Sequence, residues 1–266
     1  MADLDAIKAR QKQVWGAGNY SVIATALYST AEVLCEDVNV PAGARVLDIA
    51  CGSGNVALAA ARRRAEVVGI DFVPSLLDHA RERAAAEWLE VDFREADAEA
   101  LPFPDASFDV VLSAFGVMFA TDAERAAQEM IRVCRPGGRI GLANWTPASA
   151  VTEIFQLAAR YLPPPGNPSA PSEWGTAERL RELFGDRARS MRLRDHVWLD
   201  RAVSVDHLVD LYRTYLGPIA EAVTELDETR AGELQDGLRA IVQRHNRATD
   251  GTAAMACQYV TVVIDL

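Results

Sequence analysis

The stretch VLDIACGSGN at residues 46–55, an apolar strand that breaks into a glycine turn and then opens a helix, limits the available folds more than any other feature of this chain. Glycine lets the backbone approach a ligand closely, and the first turn of a helix presents unpaired N–H groups to it. From Ala44 onward, short apolar runs alternate with Ala- and Arg-rich helical stretches, the pattern of β-α-β units in a parallel sheet. The pattern predicts strands at residues 45–50, 67–71, 89–95, 109–114 and 139–145, with helices at 55–64, 74–87 and 123–133 between them. Pro74 suits the first turn of its helix, where a missing N–H costs nothing.

Ahead of this alternation the chain reads as accessory helices. Leu4, Ile7 and Val14 fall near one face, and Ser21 is positioned to cap a helix carrying Ile23, Leu27 and Leu34. After Trp145 the rhythm changes. A helix near 151–161 leads to a proline-rich linker at 163–171, then a helix at 176–184 that stops at Gly185. A strand at 190–199, a helical block carrying Leu208, Leu211, Tyr212 and Tyr215, a helix at 234–245 and a buried final strand at 256–266 complete the chain. Seven strands with late helical insertions predict an α/β doubly wound sheet with N-terminal helices and a helical cap. The expected division is a helical lid over 1–42 and a domain over 43–266, with cap insertions near 147–175 and 203–250.

Composition narrows the partners. A chain of 266 residues, 50% apolar and 24% charged, can bury a large core as one unit. A net charge of -11 and a pI near 4.9 argue against nucleic acid, which is bound through clustered cations. Lys8 and Lys12 are the only lysines, and the arginines lie scattered beside acids, as on solvated helical faces. The amino terminus lacks the apolar stretch of a signal peptide, and the run at 110–120 is too short to span a membrane, so a cytoplasmic protein is expected. Cys35, Cys51, Cys134 and Cys257 form no C-x-x-C pair, so neither a disulfide framework nor a metal site is suggested, and Cys51 reads as a small packing residue.

The glycine turn admits two cofactors. Gly52, Gly54 and Ala57 fit the G-x-G-x-x-A dinucleotide fingerprint, with Asp71 at 19 residues beyond Gly52. That spacing alone does not separate a nicotinamide cofactor from S-adenosylmethionine. Asp48 favours the second, because a carboxylate beside the turn repels a pyrophosphate and attracts an ammonium group. The plainer alternative is that Asp48 only caps nearby backbone N–H groups.

Over roughly residues 43–145 the sequence resembles the class I S-adenosylmethionine-dependent methyltransferases, in the subgroup of ubiquinone/menaquinone-biosynthesis and natural-product enzymes. VLDIACGSGN resembles the family's first motif. The resemblance implies that Asp48 and the loop of Ala50, Gly52, Ser53, Gly54 and Asn55 surround the methionine part of the cofactor; Ala50 and Asn55 stand where glycine is frequent. VVGIDF at 67–72 resembles the second motif, implying that Asp71 binds both ribose hydroxyls and that Phe72 packs on adenine. The run at 95–111 implies that Asp97 accepts from the adenine amino group while the backbone at Ala98 donates to the ring, with Glu99 alongside. SAFGVMF at 113–119 places Ser113 and Phe115 at the methionine end, and Phe115 and Phe119 either face the sulfonium or pack in the core. RVCRPGGRIGLANW at 132–145 resembles the family's helix, turn and fifth strand, with Pro136, Gly137 and Gly138 as a structural turn. The family's sheet has its last strand antiparallel.

The implied reaction is in-line displacement, in which an O, N or C nucleophile of a small molecule takes the methyl and S-adenosylhomocysteine leaves. Because sulfonium is a good leaving group, alignment and desolvation carry much of the catalysis. His79, His196, His207 and His245 read as surface or packing residues, and no catalytic residue is assigned. Trp15, Tyr20, Phe119, Trp174, Tyr212 and Tyr215 are candidates for an aromatic wall around a partly apolar acceptor, with core packing as the alternative. An NAD-dependent oxidoreductase and a cofactor-binding relative that does not methylate remain as alternatives, and the chain is expected to be a monomer or homodimer.

Overall fold

The computed structural model describes residues 4–17, 19–163 and 170–266, without the side chains of Leu4 and Asp5. Most of the proline-rich linker expected at 163–171 lies outside the described residues. Seven strands form one sheet in the order β3-β2-β1-β4-β5-β7-β6: β1 (Arg45–Ile49), β2 (Glu66–Asp71), β3 (Val91–Glu95), β4 (Phe108–Ala114), β5 (Cys134–Trp145), β6 (Ser190–Ala202) and β7 (Ala253–Asp265). The β1, β2, β3, β4 and β5 pairings are parallel, and β7 runs antiparallel to both β5 and β6. The sheet is the expected seven-stranded, doubly wound one.

Helices α1 (Leu4–Gly16), α2 (Tyr20–Ala26) and α3 (Tyr28–Val38) precede the sheet, and α4 (Asn55–Arg62), α5 (Pro74–Ala86) and α6 (Ala123–Val133) connect its strands. The alanine-rich α4 has its residues from Val56 to Ala61 buried, since small side chains let a helix lie close to strands. Asp122 caps α6 by accepting from the Arg125 N–H. Beyond β5 come α7 (Ala150–Tyr161), α8 (Ala177–Phe184), α9 (Val205–Tyr215), α10 (Gly217–Glu225) and α11 (Glu228–His245). Ser204 and Asp227 cap α9 and α11.

Two expectations change. The helix expected from Ser21 is split: Asn19 caps α2 by accepting from the Ser21 N–H, and the chain breaks at Leu27 before α3. Within the segment 1–42 expected as a lid, α3 packs into the core layer. Its Leu34, Cys35 and Val38 are fully buried, and an added Cβ at Gly141 of β5 would come within 2.3 Å of Val38. The turn expected at Pro136–Gly138 falls inside β5 as a bulge: Phe108 pairs with Cys134 and Val110 with Arg139, and the chain between these pairs loops out with Gly137 left-handed at φ +76°. A Cβ at Gly138 would sit 2.8 Å from the Asp109 carbonyl oxygen, so close passage past β4 selects glycine there.

Candidate functional site

The strand order reverses between β1 and β4, and ligands of doubly wound sheets bind outside the carboxyl ends of the strands at that point. A cavity of about 280 Å³ lies there, walled by the loops after β1, β2, β3 and β4 and roofed by α1 and α2. Among the expected cofactor residues, Asp48, Ala50, Gly52, Ser53, Asn55, Asp71, Phe72, Asp97, Ala98, Glu99 and Phe115 all line it. Two do not. Ser113 is fully buried beneath the floor, where its hydroxyl donates to the Ile49 carbonyl (2.7 Å) and accepts from the Val117 N–H (3.0 Å), bracing β4 against β1. Gly54 is the left-handed N-cap of α4, and its missing side chain leaves room for Ala80 and Phe93 at 3.2 Å.

The capping role of Asp48 is present in the structure, and it occupies only half of the carboxylate. One carboxylate oxygen accepts from the Ala57 N–H at 2.8 Å, capping the first turn of α4, while the other is buried with no partner among the described residues. Burial pushes its carboxyl well above the ordinary carboxylate range, the Ala57 hydrogen bond opposing and nearby Asp71 adding to the shift. Asn55 donates to the Ala24 carbonyl at 2.7 Å, and its own amide oxygen is a second buried acceptor without a partner. Two unpartnered acceptors on residues lining one cavity suit an ammonium group, which carries three donors. At Gly52, φ is +54° and an added Cβ would meet nothing within 4 Å, so the backbone lies open to the cavity.

Asp71 holds its loop and retains acceptor capacity. One oxygen accepts from Gly52 N–H (2.8 Å) and the other from Val73 N–H (2.9 Å), with the Phe72 backbone also bearing on the group, and a carboxylate's four acceptor positions are not exhausted by these donors. Burial raises its carboxyl, against the backbone hydrogen bonds. Asp97 accepts from the Glu99 N–H at 2.9 Å and from Lys8 at 2.6 Å, and Lys8 also pairs with buried Glu99 at 2.5 Å. Lys12 pairs with Glu95 at 2.5 Å. The two lysines are therefore pins that fasten α1 to the end of β3 and the loop after it, a role their helical context alone does not signal. Burial works against the Lys8 charge, but the hydrogen bonds to Asp97 and Glu99 outweigh it and raise its pKa. Gln11 adds a hydrogen bond to the Phe119 carbonyl at 3.2 Å.

Trp15, Tyr20, Leu27, Phe115 and Phe119 line both this cavity and a smaller inner chamber beside it, whose other walls include residues of α7, α9 and β6. Trp15 meets Phe119 edge-on at 4.9 Å, and Phe119 meets Phe155 at 5.1 Å. Phe115 stacks on Trp145 at 3.9 Å, so it is at once a wall of the cavity and part of the aromatic core. The chamber is nearly filled by its own side chains, leaving about 20 Å³, room for one water. Tyr212 lines it, but two expected wall residues lie elsewhere. Trp174 is buried against Phe184 (6.1 Å) and accepts from Asn144 through its carbonyl, and Tyr215 lines neither space. Each is drawn away by packing of the helix it belongs to or precedes.

Sequence reasoning did not single out Ala24, Leu27, Thr30 and Ala31, which line the cavity because α2 breaks before α3, nor Asp200 of β6, which lines the chamber. Asp200 carried a signal: an acid in the last turn of residues before a strand's end, two places from Trp198 and hence on its face. None of the four histidines lines either space. His79 pairs with Glu82, His196 with Asp37 and Thr261, and His245 with Glu153, while His207 starts α9. All four cysteines are free and buried, and among the described residues no cluster of His, Cys, Asp or Glu could hold a metal ion. Among those residues, no helix is long and apolar enough to cross a membrane.

A model of the methyltransferase domain family matches residues 46–138. An uncharacterized protein of Mycobacterium tuberculosis is 39% identical over 224 residues, 82% of this chain and 81% of that one. A demethylmenaquinone methyltransferase of Thermus thermophilus is 50% identical over 105 residues, 39% of this chain and 48% of its own length. The crystal structure of the YcgJ protein from Bacillus subtilis has the same fold, with a TM-score of 0.58 at 22% identity, covering 89% of this chain and 97% of that chain.

Proposed function

Since the chain belongs to the class I S-adenosylmethionine-dependent methyltransferases, we propose that it methylates an O, N or C nucleophile of a small, partly apolar ring compound, quinone-like or a secondary metabolite. S-adenosylmethionine is the cofactor, and the observation that carries the acceptor reading is the aromatic wall of Trp15, Tyr20, Phe115 and Phe119 that the cofactor cavity shares with the chamber beside it. The demethylmenaquinone relative supports a ring acceptor over the matched 105 residues.

When bound, the cofactor supplies a methyl group on a positively charged sulfur. The chain's own part is orientation and exclusion of water. Asp48 and Asn55 would take the ammonium group through their unpartnered oxygens, Asp71 the ribose, and Phe72, Asp97, Ala98 and Glu99 the adenine side. Ala50, Gly52 and Ser53 supply the loop, Gly54 its turn, and Ser113 fixes the floor from below. Phe115, Phe119, Trp15, Tyr20 and Tyr212 would hold the acceptor ring. In this reading α1 and α2 are the lid, α7 and α9 to α11 the cap, and the enzyme works in the cytoplasm on a diffusing acceptor.

The test is incubation with S-adenosylmethionine and a panel of hydroxylated, aminated and quinol ring compounds, read by mass spectrometry. One compound should gain a single methyl group as S-adenosylhomocysteine accumulates in equal amount. Binding of S-adenosylhomocysteine without turnover on any ring compound would replace this acceptor class with another.

A further inference from the structure

Within the inner chamber, the walls are apolar or aromatic except at one place, where the Asp200 carboxylate comes through from β6. Asp200 is 5% exposed, and its side chain accepts the Tyr212 hydroxyl from α9 at 2.5 Å. A buried carboxylate held by a single side-chain donor costs stability that a hydrophobic residue in its place would not. The chamber it lines nevertheless shares the side chains of Trp15, Tyr20, Leu27, Phe115 and Phe119 with the cofactor cavity, which puts the carboxylate just behind that aromatic wall. We propose that Asp200 is the proton acceptor for the methylated group, which makes the acceptor an aromatic ring carrying a hydroxyl.

The proposal rests on the methyltransferase reading of the same site. As the ring oxygen forms its bond to the methyl carbon, the carbon–sulfur bond breaks and its electron pair stays on sulfur. The hydroxyl proton passes to an Asp200 oxygen and leaves to water when the product departs. Tyr212 positions the carboxylate and is no acid at neutral pH, its phenol being pushed well up by burial and by Asp200 itself. Burial also raises Asp200, to about 6, against the Tyr212 hydrogen bond and the Arg201 backbone, so at pH 8 it is an ionised but stronger base than an ordinary carboxylate. The other titratable groups that bear on the pair are Cys257 of β7 and Tyr20 of α2, both raised by burial and uncharged at that pH. Because the chamber is nearly filled, ring entry requires the Trp15, Phe119 and Phe155 cluster to part.

The probe is 2-naphthol, whose excited state gives up its proton to a nearby base and then emits as naphtholate. It is titrated at pH 8 into the protein saturated with S-adenosylhomocysteine, beside 2-methoxynaphthalene, with wild type and Asp200→Asn. Calorimetry with S-adenosylhomocysteine comes first and should give equal affinity for both proteins; if wild type fails to bind it, the methyltransferase site itself is misplaced. The expected result is at least ~10-fold preference for 2-naphthol over 2-methoxynaphthalene in wild type, with naphtholate emission from the bound probe after the emission of free 2-naphthol in water is subtracted, and neither in the variant, consistent with the loss of one charge-assisted hydrogen bond. Wild type that binds S-adenosylhomocysteine but shows no preference, no naphtholate emission or no binding of 2-naphthol overturns the proposal. So does a folded variant that behaves like wild type. Should Asp200→Asn not fold, the wild-type preference and emission decide, and Tyr212→Phe, which keeps the carboxylate, should retain both.

Discussion

Replacing Asp200 by Asn should make the protein's stability less dependent on pH, in a direction the structure fixes. Burial lifts the Asp200 carboxyl from its ordinary 3.8 to about 6 in the folded chain. Below about pH 3.8 the group is neutral in both states and contributes nothing. As pH rises, the unfolded chain loses the proton first, so the unfolded state binds fewer protons and stability falls until the folded group also ionises. At about 1.4 kcal/mol per pH unit, the full cost is about 3 kcal/mol at pH 8, and about 1.4 kcal/mol of it accrues between pH 5 and pH 8. Asn has nearly the same shape, can accept the Tyr212 hydroxyl and does not titrate. Tyr212 and Cys257, the neighbours of Asp200, are raised by burial and stay neutral over this range. Asp48 and Asp71 are common to both proteins and cancel in the comparison. Urea denaturation of wild type and Asp200→Asn at pH 5 and pH 8, without cofactor, measures the effect. The stability difference should move in favour of the variant by about 1.4 kcal/mol at the higher pH. A difference that is the same at both values refutes the account of Asp200 as a buried, raised carboxyl.

Asp71→Ala should weaken S-adenosylhomocysteine at least ~10-fold by calorimetry, since it removes the ribose acceptors and leaves the Gly52 and Val73 N–H groups unpaired. S-adenosylhomocysteine should bind more tightly as pH rises above the ordinary carboxylate range, because the raised Asp48 carboxyl must ionise to attract the ammonium group; Asp48→Asn should bind weakly with a flatter calorimetric pH profile. Lys8→Met frees α1 from Asp97 and leaves Glu99 without its cation, so stopped-flow displacement should show a faster cofactor off-rate. Gly116→Ala would place a Cβ 2.5 Å from the Ala50 carbonyl oxygen, and thermal melting should show a loss of about 1–3 kcal/mol with weakened cofactor binding.

The strand-turn-helix at Val46–Asn55 and the period of the following segments were enough to locate every strand of the sheet and the glycine turn after β1. Those signals are local: apolar runs of strand length, glycines where the chain turns, Pro74 in a first helical turn. What the sequence hid depends on contacts between distant segments. Nothing near Leu27 marks the break that turns Ala24 and Thr30 toward the cavity; the Leu27 carbonyl takes both the Thr30 N–H (3.0 Å) and its hydroxyl (2.6 Å) there. The short α10 went unforeseen because Gly217 packs on the Val14 backbone of α1, 203 residues earlier, and such closeness leaves no periodic trace. Ser113 and Trp174 look like site residues by type and place along the chain, but Ser113 braces two strands and Trp174 fills the core. Asp200 and Tyr212 show the converse. Each is ordinary in its own segment, and only the packing of α9 over the end of β6 makes them a pair.

Calorimetric titration of the wild-type protein with S-adenosylhomocysteine, beside NADH, tests the central assignment most directly. Micromolar or tighter binding of S-adenosylhomocysteine alone is predicted, from one site per chain. Binding of NADH, or of neither ligand, would contradict it.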